Sequence, residues 1–279
     1  MNSLVSYIKL FRPLNVFIAG IAMILASAIM DVFAELYMVI RVVLVVLCYT
    51  GASNGLNDVV DYEIDLINRP MRPIPSGNVS KKIALLSSIF LFSTGSFLCL
   101  KLTEDAKVIG IVIAMPLMVL YSKFLKGIPL IGNITVAFIL GLAFLFCGAA
   151  FHKMALMWTP AVLAFGLTLV RELIKDIADI NGDRSCGLKT FPIVAGIDKA
   201  IKLSVFFISC VGFGAFIPFI KGDYGYLYGI IVILGVEIPL GVVVVSLLNN
   251  PGIKTAKYSA RVLKFSTIAG LIAIYIGTL

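Results

Sequence analysis

The chain has 279 residues, of which 60% are hydrophobic and 14% charged, and its formal net charge is +8. A typical soluble domain carries about 25% charged residues, and a mean hydropathy of +1.06 leaves too few polar side chains here to cover a water-facing surface. A soluble globular enzyme, a disordered chain, a collagen and a disulfide scaffold are excluded, and lipid is the solvent for most of the chain.

Nine segments approach the roughly 20 apolar residues needed to cross hydrocarbon. In chain order they are 14–31, 36–56, 83–100, 107–121, 130–151, 155–174, 201–220, 226–248 and 262–279. Open strands would leave backbone groups unpaired in lipid, so all nine are expected to be helices. The expected fold is all-α: a polytopic membrane protein built as a bundle of nine transmembrane helices. The 107–121 segment is the shortest and contains Pro116. The first segment follows Lys9 and Arg12 and contains Ala26-Ser27-Ala28, which has the look of a signal peptide. It is read as a span, because Arg12 fits a functional pattern described below.

With the amino terminus in the cytoplasm, 17 Lys and Arg fall on the cytoplasmic side and four on the other, namely Lys101, Lys107, Lys153 and Lys221. The excess of cations on the inner side predicts that orientation, with the carboxyl terminus outside. The basic face suits anionic head groups and phosphorylated substrates. Nucleic acid is not an expected partner, since no soluble basic domain is present, and no partner protein is implied. The five cysteines are scattered and form no CxxC pair, so they read as small packing residues. The single histidine, His152, excludes a histidine-rich zinc site.

Two cytoplasmic loops, about 57–82 and 175–200, are expected to be long, and long loops in a compact bundle are usually functional. Eight of the fifteen acids sit in two stretches, Asp58, Asp61, Glu63 and Asp65 in the first and Glu172, Asp176, Asp179 and Asp183 in the second. Asp58, Asp61 and Asp65 make the pattern D-xx-D-xxx-D, and Asp176, Asp179 and Asp183 repeat it 118 residues later. On a helix these positions fall within an arc of about 60°. Each triplet therefore predicts an acidic stripe at the end of a span. Such crowding is unfavourable unless a cation sits among the carboxylates. Mg²⁺ suits the task, since it takes a few carboxylates and completes its shell with water and phosphate. Two facing stripes would hold a metal-bridged diphosphate.

Asn57-Asp58-xx-Asp61-xxx-Asp65, followed by Asn68-Arg69-Pro70-xx-Pro73-Ile74-Pro75-Ser76-Gly77, resembles the first motif of the UbiA superfamily of intramembrane prenyltransferases, and Lys175-Asp176-xx-Asp179-xxx-Asp183 resembles its second. Arg12-Pro13, Tyr121-Ser122-Lys123 and Gly132-Asn133 are further matches, so the resemblance covers essentially residues 1–279 as one prenyltransferase domain. It implies Mg²⁺ bound by Asp58, Asp61, Asp65, Asp176, Asp179 and Asp183, of which Asp58, Asp61, Asp176 and Asp179 would be catalytic. It further implies a polyprenyl diphosphate, in the present case geranylgeranyl diphosphate, whose departure leaves an allylic cation for an acceptor to capture. Arg12, Asn15, Asn57, Arg69, Arg72, Tyr121, Lys123, Lys126, Asn133, Arg171 and Lys175 would bind substrate.

One position departs from the pattern of several quinone-type members, which carry Tyr four residues before the Lys of the second motif. Here it is Arg171, in Arg171-Glu172-Leu-Ile-Lys175-Asp176. An extra cation suits an acceptor with its own phosphate. In this the chain resembles the archaeal members that add a second geranylgeranyl chain to geranylgeranylglyceryl phosphate, a lipid-phosphate acceptor. A pairing of Arg171 with Glu172 alone is the competing expectation. An aromatic acceptor of the quinone, chlorophyll or haem type, and an ion-coupled transporter, are the other functions weighed. Gly51-xxx-Gly55 is expected to let spans two and six approach, and Gly225-xxx-Gly229 to allow close packing. Trp158 reads as an interface anchor.

Overall fold

A computed structural model describes residues 3–279, the side chains of Ser3, Leu4 and Asn68 excepted. No strand occurs among them. In chain order the helices are α1 (Ser3–Leu10), α2 (Pro13–Ile29), α3 (Leu36–Val60), α4 (Tyr62–Asn68), α5 (Lys81–Cys99) and α6 (Glu104–Leu125), then α7 (Ile131–Ala150), α8 (Trp158–Ser185), α9 (Phe191–Ala195), α10 (Ile197–Ile220), α11 (Tyr226–Asn249) and α12 (Ile253–Gly277). Among the described residues, eight helices are long and apolar enough to cross a membrane. The ninth expected segment is α2, of 17 residues, which at 1.5 Å per residue reaches about 26 Å. The chain is an all-α, multi-pass membrane protein.

The helix ends differ from expectation. α8 runs to Ser185 rather than stopping near 174, and α12 begins at Ile253 rather than 262. The expected 175–200 loop is largely helical, whereas only about half of the 57–82 loop is. Hydropathy marks where a helix leaves hydrocarbon, whereas its backbone bonds are satisfied internally and carry it on into the polar zone. α6 and α11 each contain a wide π-helical turn just ahead of a proline: Val108–Ala114 before Pro116, and Ile233–Glu237 before Pro239. A proline ring lacks the N–H and crowds the carbonyl four residues back. The widened turn accommodates it without breaking the helix.

The chain divides into two compact units. One runs through Phe124 and adds Leu145–Ala155; the other is Leu125–Phe144 with Leu156–Leu279. In the first, α3 packs on α2 and α5. A Cβ on Gly55 would lie 2.5 Å from Ser88 Oγ, and one on Gly51 would lie 3.3 Å from Leu91. These glycines therefore seat α3 against α5. A small-residue stripe marks a close approach but does not say which helix fills it. Gly225, likewise, lies outside α11 with nothing near it, so only Gly229 of that pair packs, against Phe219.

In the second unit α8 packs on α10 and α12. Its fully buried flank is Val170, Leu173, Ile174 and Ile177. Arg171, Lys175, Asp176, Asp179 and Asp183 are only half-buried and share the other face. The 3.6-residue period thus turns one sequence stripe inward and leaves the charged one available.

Candidate active site

The first unit gathers its polar groups where α3 meets α4. Asp61 caps α3 and opens α4, and the helical spacing survives the joint: Asp61 N–H donates to Asn57 O and Asp65 N–H to Asp61 O, both at 2.8 Å. Asp58, Asp61 and Asp65 are all buried. Pro70, Pro73 and Pro75 stop α4 from continuing. The segment folds into turns instead, with Ser76 N–H bonded to Arg72 O and Val79 N–H to Pro73 O, both 2.9 Å. Ile74 and Val79 then enter a core with Leu10, Val59 and Ala84, flanked by Tyr7, Phe11 and Tyr62. That packing carries Arg72 back to the acids.

Arg72 donates to Asp58 at 3.1 Å and also to Asp65. Arg12 donates to Asp58 from the turn before α2, where its backbone is left-handed, φ 51°. Such a backbone is costly for a non-glycine residue and persists only where its surroundings fix it. Asn54, one helical turn before Asp58, supplies part of that support by donating to Phe11 O at 3.1 Å. The cations that meet Asp58 and Asp65 are therefore guanidinium groups. Burial pushes the Asp65 carboxyl up from its ordinary range, and Arg72 pulls it back. Ser122, in the last turn of α6, reaches the Asn57 carboxamide oxygen. Tyr121 beside it is half-buried, and Arg69, Asn15 and Lys123 are exposed.

The second unit carries the other motif. Asn133 Nδ2 donates to Asp176 Oδ2 at 2.8 Å. The reason for Gly132 is visible here: a Cβ would lie 3.0 Å from the carbonyl oxygens of both Leu125 and Lys126. The tight return of backbone into α7 is what aims Asn133 at Asp176. Glu172 is buried and accepts from Arg171 at 2.9 Å and from Lys175 at 3.0 and 2.7 Å. Arg171 thus makes the Glu172 pair weighed from the sequence. Lys126 is close enough to act on Glu172, and Lys264 of α12 on Arg171. Asp179 and Asp183 follow along the same half-buried face of α8.

No three Cys, His, Asp or Glu side chains among the described residues gather closely enough to cage a metal unaided. Each triplet forms the predicted stripe but is not a closed three-carboxylate cradle. The donors fit Mg²⁺ all the same. They are hard oxygens only, carboxylates with Asn57 and Asn133 carboxamides alongside, and Mg²⁺ is usually held by one or two carboxylates plus substrate phosphates. Sequence reasoning gave Ser122 no role within the motif that contains it, and missed Asn54 and Lys264 as members of these clusters. The spacing of Asn54 from Asp58 was a usable signal; Lys264 was absorbed into the general excess of inner-side cations.

Residues 12–267 match the UbiA prenyltransferase family. The chain belongs to that family. This UbiA prenyltransferase is 36% identical to the digeranylgeranylglyceryl phosphate synthase of Thermococcus gammatolerans over 98% of both chains. It is 34% identical to the protein of the same description from Methanopyrus kandleri, covering 96% of this chain and 97% of that one. A solved structure concerning digeranylgeranylglyceryl phosphate synthase in membranes is similar with a TM-score of 0.78 at 30% identity, covering 100% of this chain and 99% of that chain. A UbiA homologue from Archaeoglobus fulgidus, bound to GPP and Mg²⁺, shares the fold with a TM-score of 0.66 at 16% identity, over 96% and 99% of the chains.

Proposed function

We propose that this UbiA prenyltransferase carries a geranylgeranyl group from geranylgeranyl diphosphate to the sn-2 hydroxyl of geranylgeranylglyceryl phosphate, forming an ether of archaeal membrane lipid. The observation that carries the reading is the likeness, at 34–36% identity over nearly whole chains, to relatives described by that product. Arg171, where a quinone-type member would have Tyr, supports it. An acceptor with its own phosphate gives the extra cation at this position an anion to answer, which a neutral ring would not. The transporter reading is set aside by membership in a prenyltransferase family.

In the proposed reaction the allylic C–O bond breaks and diphosphate leaves with the electron pair. The sn-2 oxygen captures the allylic carbon and releases its proton. Bound Mg²⁺ would supply charge neutralisation on the departing diphosphate. Asp58, Asp61 and Asp65 would hold the metal in one unit, and Asp176, Asp179 and Asp183 in the other. Asn133 fixes the Asp176 carboxylate, and Arg12 and Arg72 hold Asp58 in place while offering donors to phosphate oxygens. Arg69, Tyr121, Lys123, Lys126 and Lys175 complete the proposed phosphate contacts, with Asn15 and Asn57 beside them. The cation count supports an inner amino terminus, an outer carboxyl terminus, and chemistry near the cytoplasmic face of the cell membrane.

The test is an acceptor panel. Purified protein, Mg²⁺ and labelled geranylgeranyl diphosphate should yield labelled ether with geranylgeranylglyceryl phosphate and no product with a hydroxylated aromatic acid. The reverse preference would overturn the reading.

A further inference from the structure

The proposed function leaves the acceptor's phosphate without an assigned site, and one side-chain cluster in the second unit is built for such a group. Arg171 and Lys175 on α8 and Lys264 on α12 are three cations. Among the described residues the first two share a single carboxylate, Glu172, and no acid pairs with Lys264. Lys264 stands on the helix that packs along α8, within two turns of Gly270, where an added Cβ would lie 3.7 Å from Leu167, and its charge opposes that of Arg171. The Arg171 Nε–H is buried and has no acceptor among the described residues.

Gathering like charges inside a membrane-spanning helix pair is unfavourable unless an anion answers them. A buried donor without an acceptor carries its own desolvation cost. Glu172 answers one charge, which leaves the cluster cationic. A phosphate monoester, with a charge near −2 and three acceptor oxygens, supplies both the missing charge and the missing acceptor. Asp176, Asp179 and Asp183 lie further along the same face of α8, so such a phosphate would sit beside the metal-binding stripe without taking its ligands.

We infer that Arg171 and Lys264 form the site for the phosphate of the lipid acceptor, with Glu172 as the built-in counter-ion that holds Arg171 and Lys175 in position. This rests on the phosphorylated-acceptor reading above and extends it to a residue, Lys264, that no sequence motif marks. Lys264 is a specificity-determining residue: it grips the end of the acceptor remote from the reacting hydroxyl.

The experiment compares wild type with Lys264→Gln and Lys264→Arg, reading KM for geranylgeranylglyceryl phosphate and for geranylgeranyl diphosphate separately. Loss of one charge-assisted contact should raise the acceptor KM about 10-fold or more in Lys264→Gln. The prenyl diphosphate KM should hold, and Lys264→Arg should restore most of the acceptor affinity. A variant that unfolds is bypassed by thermal melts of the wild-type protein without metal or donor. There, geranylgeranylglyceryl phosphate should raise Tm and its dephosphorylated counterpart should not. Equal KM rises for both substrates would assign the cluster to the donor's diphosphate and overturn the inference. So would an unchanged acceptor KM in a folded Lys264→Gln, or equal Tm shifts from both acceptors. If wild type makes no ether from any phosphorylated acceptor, it is the function that fails; if it does and Lys264→Gln is silent, only this inference fails.

Discussion

Arg12 shows how much local structure is spent on holding one carboxylate. Its left-handed backbone is stabilised by Asn54 from the neighbouring helix, and its guanidinium shares Asp58 with Arg72. Asn133 does the equivalent task for Asp176 with a single hydrogen bond. A hydrogen bond to a charged group is worth about 1.5–3 kcal/mol. Asn133→Ala should therefore lower turnover by about 10-fold or more while the circular dichroism spectrum and Tm stay near wild type; unchanged turnover would remove Asn133 from the site. Arg171 offers a planar fork that Lys cannot copy. Arg171→Lys should raise the acceptor KM by roughly 10- to 150-fold, and a fall in Tm with both KM values unchanged would make the Glu172 pair its whole role. Arg12 and Asn133 were legible in the sequence because each sits in a short motif. Asn54 was signalled only by standing one helical turn before Asp58, and Ser122 lay in a quoted motif without a role, because its contact with Asn57 crosses between helices.

At the scale of the helices, the close approaches decide stability. A Cβ on Gly141 of α7 would lie 2.8 Å from the Ala161 carbonyl oxygen of α8, a backbone atom that cannot swing aside. Gly141→Val should cost about 1–3 kcal/mol by overpacking and lower Tm. Gly241→Ala, in a place with nothing within 4 Å, should leave Tm unchanged or slightly raised; equal effects of the two substitutions would contradict the packing described. The existence and nature of the spans were readable, since hydropathy is a property of consecutive residues. The true ends of α8 and α12 and the partner of Gly51 and Gly55 were not. The former depend on backbone bonds that charge does not interrupt, and the latter on tertiary packing.

For the whole molecule, 17 cations against four predict which way the chain crosses the membrane. Ser76 and Lys189 are both exposed, one in each unit. Single cysteines there, with the five native cysteines replaced, should escape an impermeant thiol reagent in intact cells and react in inverted vesicles. Labelling in intact cells would reverse the orientation. The repeated D-xx-D-xxx-D pattern was the most legible feature of all, because helical periodicity alone turns it into a stripe. The account stands or falls on those stripes acting through a metal. The direct measurement is turnover of labelled geranylgeranyl diphosphate by wild type, Asp58→Ala, Asp61→Ala and Asp176→Ala, with Mg²⁺ and with EDTA. Loss of an electrostatic catalytic group should cut turnover at least about 10²-fold in each variant, with EDTA abolishing wild-type activity and the fold intact. Full activity in EDTA, or in all three variants, would contradict it.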